Sequence, residues 1–489
     1  MSAGVVAAGH PTTAAVGADV LRAGGTAVDA AIAACLASWA CEPLLTGPGA
    51  GGYLMVAGPG IAPALLDFFV AAPSGGERAP LTTVEVSFGS AVQPFHVGAS
   101  SCGVPGCPAG LEEAARRWGT FPLRDLAAPA VELARAGVVL NAQQAYVFEI
   151  LAAILVSTPE ARAVFAPGGE VLREGERFES PELADTLERF GAEGAAPFLT
   201  GDLAAATVEA VQSRGGTLTA ADLAGYRAQA REPARVGYRG REVLLNPPPS
   251  AGGILLALAF AALDRTDGPP RPADLVAAME DVQRARTAAF DEGLAEPGFL
   301  ERFLAANLGS TTHVSVVDGA GRACAVTCTN GEGSGVVVPG TGIHVNNVMG
   351  EEDLNPQGFF VAPPGRRMPS MMAPTVLTDP AAPDGGVQLV LGSAGSNRIR
   401  SAILQTVVGV VDHGRETSDA VTAPRLHVED GVVFAEPGLD LAGLGRREVV
   451  EFAAPNLFFG GVQAVGRDPR TGRLTGAGDP RRGGAVVVA

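Results

Sequence analysis

The spacing of apolar positions changes along the chain, from mostly helical in the first part to mostly strand-like in the last. Residues 1–60 predict a helix, a glycine loop and a strand, with a helix break at Gly24-Gly25. Further helices are expected over residues 111–156 and 180–235. Beyond position 311 come runs typical of strands, interrupted by one helix near 399–411: HVSVVD, CAVTCT, GVVVP, VQLVLG, GVVFAE and AVVVA. Strands mixed with helices in this order favour a layered α/β architecture.

The first of these strand-like runs opens unusually, with two adjacent threonines in GSTTHVSVVD (309–318). The period of two places Thr311 on the same face as His313 and Ser315, and Thr312 on the opposite face. One interpretation is an ordinary join between a loop and a strand. The other is that the chain is cut before Thr311, which then becomes an N-terminal nucleophile.

Composition narrows the functional class. The chain has 489 residues, 47% of them hydrophobic and 18% charged, as in a folded globular protein. Its formal net charge is −17 and every basic charge is an arginine, with no basic run of the kind that binds nucleic acid. The longest clean apolar run, 251–263, is shorter than the roughly 20 residues that a membrane-spanning helix needs. The N-terminus lacks a signal-peptide pattern, so we expect a cytoplasmic protein.

No metal or cofactor is expected from the spacing of the candidate ligands. The six cysteines show no CxxC pair, and the histidines show no HExxH pair. We expect the cysteines to be buried free thiols, with Cys324 and Cys328 on the same side of a strand. GPGAGG (47–52) fits the dinucleotide-binding pattern, but it follows a helix and opens a strand, the reverse of a Rossmann fingerprint. Its glycines indicate instead a backbone packed close to a neighbour.

A series of motifs in fixed order identifies a family resemblance that runs nearly the whole length of the chain. The motifs are AGHPTTAAVGADVLRAGGTAVDAAIA, EPLLTGPGAGGYLMV, VPGCPAGLEEAARRWGTFPL, ELARAGVVLN, DLAGYRAQAREPARVGYRGREVLLNPPPSAGGI, STTHVSVVD, TGIHVNNVMGEEDLNP, RRMPSMMAPT, LGSAGSNRI, APRLH and GAGDPRRGGA. Together they resemble the γ-glutamyltranspeptidase family of N-terminal-nucleophile hydrolases. The resemblance implies a four-layer αββα sandwich. It also implies a precursor that cleaves itself between Ser310 and Thr311 into residues 1–310 and 311–489, which stay together as a heterodimer within one intertwined domain.

The chemistry of such a nucleophile can be argued from the residue itself. A threonine hydroxyl needs an adjacent base to attack a carbonyl at neutral pH. Once Thr311 is N-terminal, its own α-amine, with a pKa of about 7.7–8.0, can take the proton. The hydroxyl must therefore begin the strand, because the amine exists only after the cut. His313 is interpreted as structural.

The resemblance assigns roles to several further residues. It implies that Thr329 hydrogen-bonds the nucleophile, that Asn330 faces the substrate, and that backbone N–H groups at Gly395 and Ser396 stabilise an oxyanion. Ser370, with Met371 beside it, corresponds to the binding site for the substrate's α-carboxylate. Glu351, with Glu352 next to it, corresponds to the acidic residue that holds the substrate's α-amine. The alternatives without a catalytic or binding role are an ordinary strand threonine for Thr329, a tight turn before a helix for Gly395 and Ser396, and a surface acidic cluster for Glu351 and Glu352.

Two positions depart from the family pattern, and both affect the glutamyl end of the substrate. The arginine that clamps the α-carboxylate in γ-glutamyl enzymes is replaced by Phe69, and the first serine of the carboxylate-binding pair by Pro369. Phenylalanine cannot make the bidentate charged contact of a guanidinium and suits a more apolar or planar donor. We therefore expect a small-molecule acyl donor other than glutathione, with water or an amine as the acceptor, in a bacterial secondary-metabolite pathway.

Three alternatives remain open at this point. The first is an ordinary γ-glutamyltransferase or glutathione hydrolase whose clamp comes from Arg366, Arg367 or Arg398. The second is hydrolysis of a carbon–carbon bond next to a carbonyl, in antibiotic biosynthesis. The third is an uncleaved relative that binds a ligand or partner without catalysis.

Overall fold

The computed structural model describes residues 3–87, 92–285, 312–355, 357–382 and 386–489. Ser310 and Thr311 therefore lie outside the described residues.

A seven-stranded sheet forms the first of two central layers, with neighbouring strands antiparallel. In spatial order its strands are β22 (Ala485–Val488), β1 (Gly4–Ala8), β11 (Thr312–Asp318), β12 (Ala323–Thr329), β2 (Gly51–Gly58), β3 (Ile61–Phe68) and β8 (Gln229–Arg231).

A six-stranded antiparallel sheet packs against it as the second central layer. Its strands, in spatial order, are β21 (Leu474–Gly478), β20 (Gly461–Arg467), β16 (Val387–Ala394), β15 (Thr375–Thr378), β10 (Arg241–Leu245) and β9 (Ala234–Tyr238). Both sheets take strands from each side of position 311, so the two parts of the chain interleave.

Helices cover the outer face of each sheet. On the first sheet lie α1 (Pro11–Arg22), α2 (Ala27–Cys41) and α3 (Cys107–Trp118), and beyond them α4 (Leu123–Ala136) and α8 (Pro181–Glu193). On the second sheet lie α12 (Ala251–Leu263), α13 (Pro272–Ala285), α14 (Arg398–Val411) and α15 (Thr417–Thr422). The predicted four-layer αββα sandwich is therefore confirmed.

Shorter elements complete the described chain. The helices are α5 (Ala142–Ile150), α6 (Ala152–Leu155), α7 (Pro159–Phe165), α9 (Ala196–Leu199), α10 (Asp202–Gln212) and α11 (Ala220–Gly225). The strands are β4 (Thr82–Ser87), β5 (Val92–Val97), β6 (Val138–Val139), β7 (Arg177–Phe178), β13 (Val337–Val338), β14 (Ile343–His344), β17 (Leu426–Glu429), β18 (Val432–Ala435) and β19 (Glu448–Glu451).

The helix α2 explains how the first sheet is covered. Every residue of α2 is buried, because it lies between the sheet and the helices α1 and α4. Its N-terminus carries a capping box in which Thr26 accepts from the Asp29 backbone and Asp29 accepts from the Thr26 backbone. Burial opposes ionisation of Asp29, but hydrogen bonds from Thr26, Thr120 and Phe121 hold its pKa below the usual value. A buried carboxylate thus fixes where α2 begins.

The strand β11 contacts a helix on one face and the second sheet on the other. Val314 and Val316 pack towards α2, while His313 and Ser315 lie on the opposite face. His313 is hydrogen-bonded through Nδ1 to Thr327 (2.7 Å) and through Nε2 to Ser315 (2.9 Å). Ser315 donates in turn to the carbonyl of Gln463 on the second sheet (3.1 Å). The interpretation of His313 as structural agrees with these contacts.

The glycine-rich segment 47–52 lies where backbones meet closely. A Cβ atom on Gly49 would lie 2.3 Å from the carbonyl oxygen of His344, and one on Gly52 would lie 2.4 Å from that of Thr327. The segment follows α2 and leads into β2, as the sequence predicts. Its glycines therefore serve close packing, in agreement with the interpretation against a dinucleotide site.

Some local predictions were incomplete. The sequence predicted that the chain would start with a helix, but its first element is the strand β1. The region 180–235 was expected to be helical throughout, but it ends with the strand β8 and the beginning of β9. These strands are short and gain their hydrogen bonds from distant partners, which local spacing does not show. The cysteines are all buried and free, as expected.

Candidate active site

The strand β11 begins at Thr312, the residue that follows the predicted nucleophile Thr311. Thr312 is buried, faces Cys328 across the sheet and donates from Oγ1 to Oε2 of Glu42 (2.9 Å). Its side chain lies on the α2 side, whereas the His313 face is turned towards the second sheet.

Thr329 ends the neighbouring strand β12. It pairs with Gly51, is buried, and its Oγ1 accepts a hydrogen bond from the backbone N–H of Gly331 (2.7 Å). The bond turns the chain sharply after the strand, so that Thr329 and Gly331 both line one cleft.

The turn at Gly395–Ser396 lies between β16 and α14 and lines the same cleft. Gly395 has φ +120°, and a Cβ there would lie 2.7 Å from the Cα of Gly460. Ser396 has φ +52°, a left-handed conformation that is strained for a residue other than glycine. Because the turn opens a helix, its backbone carries the positive end of the helix dipole, which suits a developing oxyanion.

Glu429 holds the two residues that follow this turn, a feature that sequence reasoning missed. Asn397 donates to Oε1 of Glu429 (2.5 Å), and Nη1 of Arg398 lies 3.7 Å from Oε2. Although burial favours the neutral acid, the contacts with His427, Arg398 and Asn397 lower the pKa of Glu429. The ionised carboxylate of Glu429, the last residue of β17, therefore holds the first residues of α14 in place.

The cleft contains about 660 Å³ of empty space, part of which is open to solvent. Its polar lining brings together Thr329, Gly331, Glu332, Gly395, Ser396, Arg398 and Arg482. Its apolar lining consists of Leu45, Phe95, Val147, Ile150, Leu151, Leu457 and Phe458. The structure thus unites three of the predicted catalytic residues, Thr329 and the adjacent pair Gly395 and Ser396, from two segments that are far apart in sequence.

Glu42 lies in an inner chamber that adjoins this cleft and shares Leu45, Val147, Leu457 and Arg482 with it. Its carboxyl group contacts the hydroxyls of Thr312 (2.9 Å) and Thr13 (3.3 Å). Burial raises its pKa to about 7, against the opposing effect of these two hydrogen bonds. Sequence reasoning gave Glu42 no role; its one signal was a charged residue within an apolar stretch.

Phe69 does not line the cleft. It is fully buried between the sheets, where its ring stacks on Tyr53 with centroids 5.7 Å apart. Its carbonyl oxygen accepts from the hydroxyl of Tyr226 and from Nη1 of Arg367, both at 2.6 Å. The structure therefore places this position in the core.

The arginines considered as substitute clamps separate into two groups. Arg367 is buried and occupied, with Nε 3.3 Å from Asp67 and its guanidinium over the ring of Tyr226. Arg366 is only half-buried and does not line the cleft, whereas Arg398 does line it.

Ser370 and Met371 are also buried outside the cleft lining. Ser370 Oγ accepts from the backbone N–H of Met372 (3.1 Å), and its carbonyl accepts from Ser250 (3.1 Å). The hydroxyl and the carbonyl of Ser370 are therefore both engaged in holding the local backbone in place.

Asn330 and Glu351 flank the cleft behind Gly331. Both polar atoms of the Asn330 side chain are buried without a hydrogen-bond partner. A Cβ on Gly331 would lie 2.5 Å from Oε1 of Glu351, so that carboxylate lies directly behind the cleft wall. Glu352 points away, and its exposed carboxylate pairs with His96 (3.0 Å).

Two features that would widen the range of possible functions are absent from the described part of the chain. No three His, Cys, Asp or Glu side chains there are grouped as a metal site requires. Within the same ranges, no helix is both long and apolar enough to cross a bilayer.

Comparison with known proteins places this site in a family. The family model described as gamma-glutamyltranspeptidase matches residues 13–299 and 301–489. The chain belongs to the γ-glutamyltranspeptidase family. It is thus a member of a family of enzymes with the N-terminal-nucleophile hydrolase fold.

The relatives within the γ-glutamyltranspeptidase family include hydrolases and acylases. The glutathione hydrolase proenzyme of Bacillus subtilis (strain 168) is 30% identical, with 99% of this chain and 91% of that protein covered. The acylase ACY 1 proenzyme of Pseudomonas sp. (strain V22) is 31% identical, with 100% and 94% covered. The crystal structure of cephalosporin acylase from Bacillus halodurans superposes with a TM-score of 0.85 at 26% identity, covering 99% of this chain and 96% of that one.

Proposed function

We propose that this member of the γ-glutamyltranspeptidase family is an autoprocessing threonine hydrolase or acyltransferase. The chain is cut between Ser310 and Thr311, and the Thr311 hydroxyl attacks the donor carbonyl while its own α-amine accepts the proton. The tetrahedral intermediate collapses to an acyl-enzyme, expelling the leaving group, and water or an amine then releases the acyl group.

One observation carries this proposal: Thr329 and the turn Gly395–Ser396 meet in one cleft. Backbone donors at such a turn are typically worth about 3–4 kcal/mol each towards an oxyanion. Thr329 belongs to the strand paired with β11, whose first described residue is Thr312. Nucleophile, hydroxyl and oxyanion donors are thus supplied by neighbouring strands of the two central layers.

The contacts of His313 support the α-amine of Thr311 as the catalytic base. His313 is the histidine nearest in sequence to Thr311; burial lowers its pKa to about 3, and both of its ring nitrogens are hydrogen-bonded. It is therefore occupied in the sandwich interior and does not supply the base. An α-amine created by cleavage meets the need without another side chain.

Maturation is supported by the relatives and by topology. The hydrolase and the acylase described above are both named proenzymes. Each central sheet contains hydrogen-bonded strands from both sides of position 311, so two fragments would stay associated after a cut.

We further propose a donor other than glutathione, used in a bacterial secondary-metabolite pathway. Phe69 and Ser370 are buried away from the cleft, so neither position of the family's α-carboxylate site reaches the cleft. The names of the acylase relatives show that donors other than glutathione occur in the family. Genes adjacent to this one that encode other steps of such a pathway would support this assignment.

The maturation step is tested by mass spectrometry of the purified protein and of Thr311→Ala. The wild-type chain should give fragments 1–310 and 311–489, whereas Thr311→Ala should stay at the full 49.4 kDa. Thr312→Ser, which keeps the hydroxyl facing Glu42, is the control and should still be cut before Thr311. Two fragments from Thr311→Ala would refute the assignment of the nucleophile.

The donor is tested by acyl trapping on Thr311. The mature protein is incubated with glutathione, with γ-glutamyl-4-nitroanilide and with 4-nitroanilides of apolar acids, and adducts on the 311–489 fragment are weighed. An adduct from the apolar acids but not from the γ-glutamyl donors is expected. Turnover of glutathione at ordinary enzyme rates would instead establish an ordinary glutathione hydrolase.

A further inference from the structure

Arg482 lies where the cleft and the inner chamber meet, and its side chain lines both. It ends the short helical turn Pro480–Arg482, just before β22. A Cβ placed on Gly395 would be 3.1 Å from its Nη2. The guanidinium is therefore adjacent to the turn that we propose as the oxyanion site.

The hydrogen bonds of Arg482 leave much of its binding capacity unused. Among the described residues, no carboxylate lies within 4.0 Å of it, and its one hydrogen bond runs from Nη2 to the carbonyl of Leu457 (3.2 Å). Its Nε is buried without a partner. The adjacent Arg481 differs, because it contacts both Glu436 (2.5 Å) and Asp479 (3.2 Å). A half-buried cation without such a partner favours an anionic ligand.

Two guanidinium groups line the cleft, those of Arg398 and Arg482, together with the carboxylate of Glu332. Arg398 contacts the ionised carboxylate of Glu429 behind the cleft wall, whereas Arg482 has no carboxylate within 4.0 Å among the described residues. Burial, and next the charge of Arg398, lower the pKa of Arg482 to about 10, while Asp479 and Glu332 oppose the shift. The guanidinium therefore stays protonated at neutral pH.

The walls near Arg482 indicate the rest of the ligand. Leu45, Val147 and Leu457 line both the cleft and the chamber and form an apolar surface next to the guanidinium. The chamber contains about 480 Å³ of empty space, part of which is open to solvent. A molecule that fits here has an apolar body and one planar anionic group, since a guanidinium matches a carboxylate in shape and hydrogen bonding.

We propose that Arg482 forms the carboxylate subsite of this enzyme, and that its acyl donor is an apolar molecule carrying a carboxylate. The donor's carboxylate pairs with the free edge of the guanidinium, while its apolar body packs on Leu45, Val147 and Leu457. This arrangement holds the scissile carbonyl beside Gly395–Ser396. The inference rests on the proposed function, but it concerns binding and not the cleavage of the chain.

The test is calorimetric titration of the mature protein with three probes of one shape: 4-phenylbutanoate, 4-phenylbutanamide and 4-phenylbutylamine. The carboxylate should bind at least about tenfold more tightly than the uncharged amide, and the amine should bind most weakly. Arg482→Gln should bring the carboxylate to within about twofold of the amide and leave the affinity for the amide unchanged. Arg482→Lys should retain part of the preference, because it keeps the charge without the bidentate fork.

The control is Arg470→Gln, which removes the same charge from an exposed position and should bind all three probes like the wild type. Equal binding of amide and carboxylate by the wild type, or no binding of any probe, would overturn the subsite. So would a carboxylate preference that persists in Arg482→Gln. Mass spectrometry reads the chain cleavage separately, so failure of the subsite and failure of the proposed nucleophile give different results.

Discussion

Replacing Glu42 by glutamine should stabilise the protein at high pH and much less at low pH. Folding raises the pKa of this carboxyl group from 4.5 to about 7, which corresponds to about 3 kcal/mol. A carboxyl whose pKa is raised on folding contributes stability below its unfolded value and loses it as pH rises through the folded value. The wild type therefore carries an increasing penalty above pH 4.5 that levels off above pH 7. Glutamine keeps one acceptor oxygen for one of the two threonine hydroxyls, its amide NH2 can donate to the other, and it never ionises.

The expected gain of Glu42→Gln over the wild type increases by about 2 kcal/mol between about pH 5.5 and pH 8.5. For a chain of this length, about 1 kcal/mol moves the melting temperature by roughly one degree. Differential scanning calorimetry should thus show a difference in melting temperature that is about two degrees larger at the higher pH. Glu209→Gln, at an exposed helix position, is the control and should show no such trend. A difference that stays constant with pH would refute the argument.

Three other changes test the site and the core. Gly395→Ala should lower the free energy of unfolding by about 1–3 kcal/mol and remove most of the activity, because Gly395 has φ +120° and an added Cβ would meet Gly460. Ser396→Gly should be tolerated. Thermal unfolding and turnover rates measure both variants. Glu429→Gln should lower kcat about tenfold with little change in KM, since it loosens the start of α14, and the exposed Glu448→Gln should change neither. Phe69→Arg should unfold the chain and not restore glutamyl recognition, which circular dichroism and a γ-glutamyl anilide would show together.

The fold was largely accessible from the sequence because its elements carry clear local patterns. The alternation in HVSVVD and CAVTCT predicted β11 and β12, and Gly24-Gly25 marked the break between α1 and α2. The strands β1 and β8 were missed since five or fewer residues carry little periodicity. Their identity depends on pairing with β11 and β3, which lie far away in the chain.

The candidate site was accessible only in part. Thr329, Gly395 and Ser396 were found through the family motifs, and they do meet in one cleft. Glu429, Arg482 and Glu42 were missed, because their importance depends on what they contact and not on the residues next to them. Phe69 shows the same limit in reverse, since its position in the motif suggested substrate contact while its burial places it in the core.

Glu42 shows why such contacts escape a motif search. It is separated from Thr312 by 270 positions, yet its carboxyl group is 2.9 Å from that hydroxyl. A Cβ on Gly9 would lie 2.3 Å from Oε2 of Glu42, so the carboxyl fits only because three separate segments leave room for it. No cationic group pairs with Glu42 in the part of the chain that the structure describes, and burying an unpaired acid costs stability, which selection for folding alone would remove. The arrangement therefore indicates a functional constraint at the start of β11, and the pH dependence of Glu42→Gln measures its cost directly.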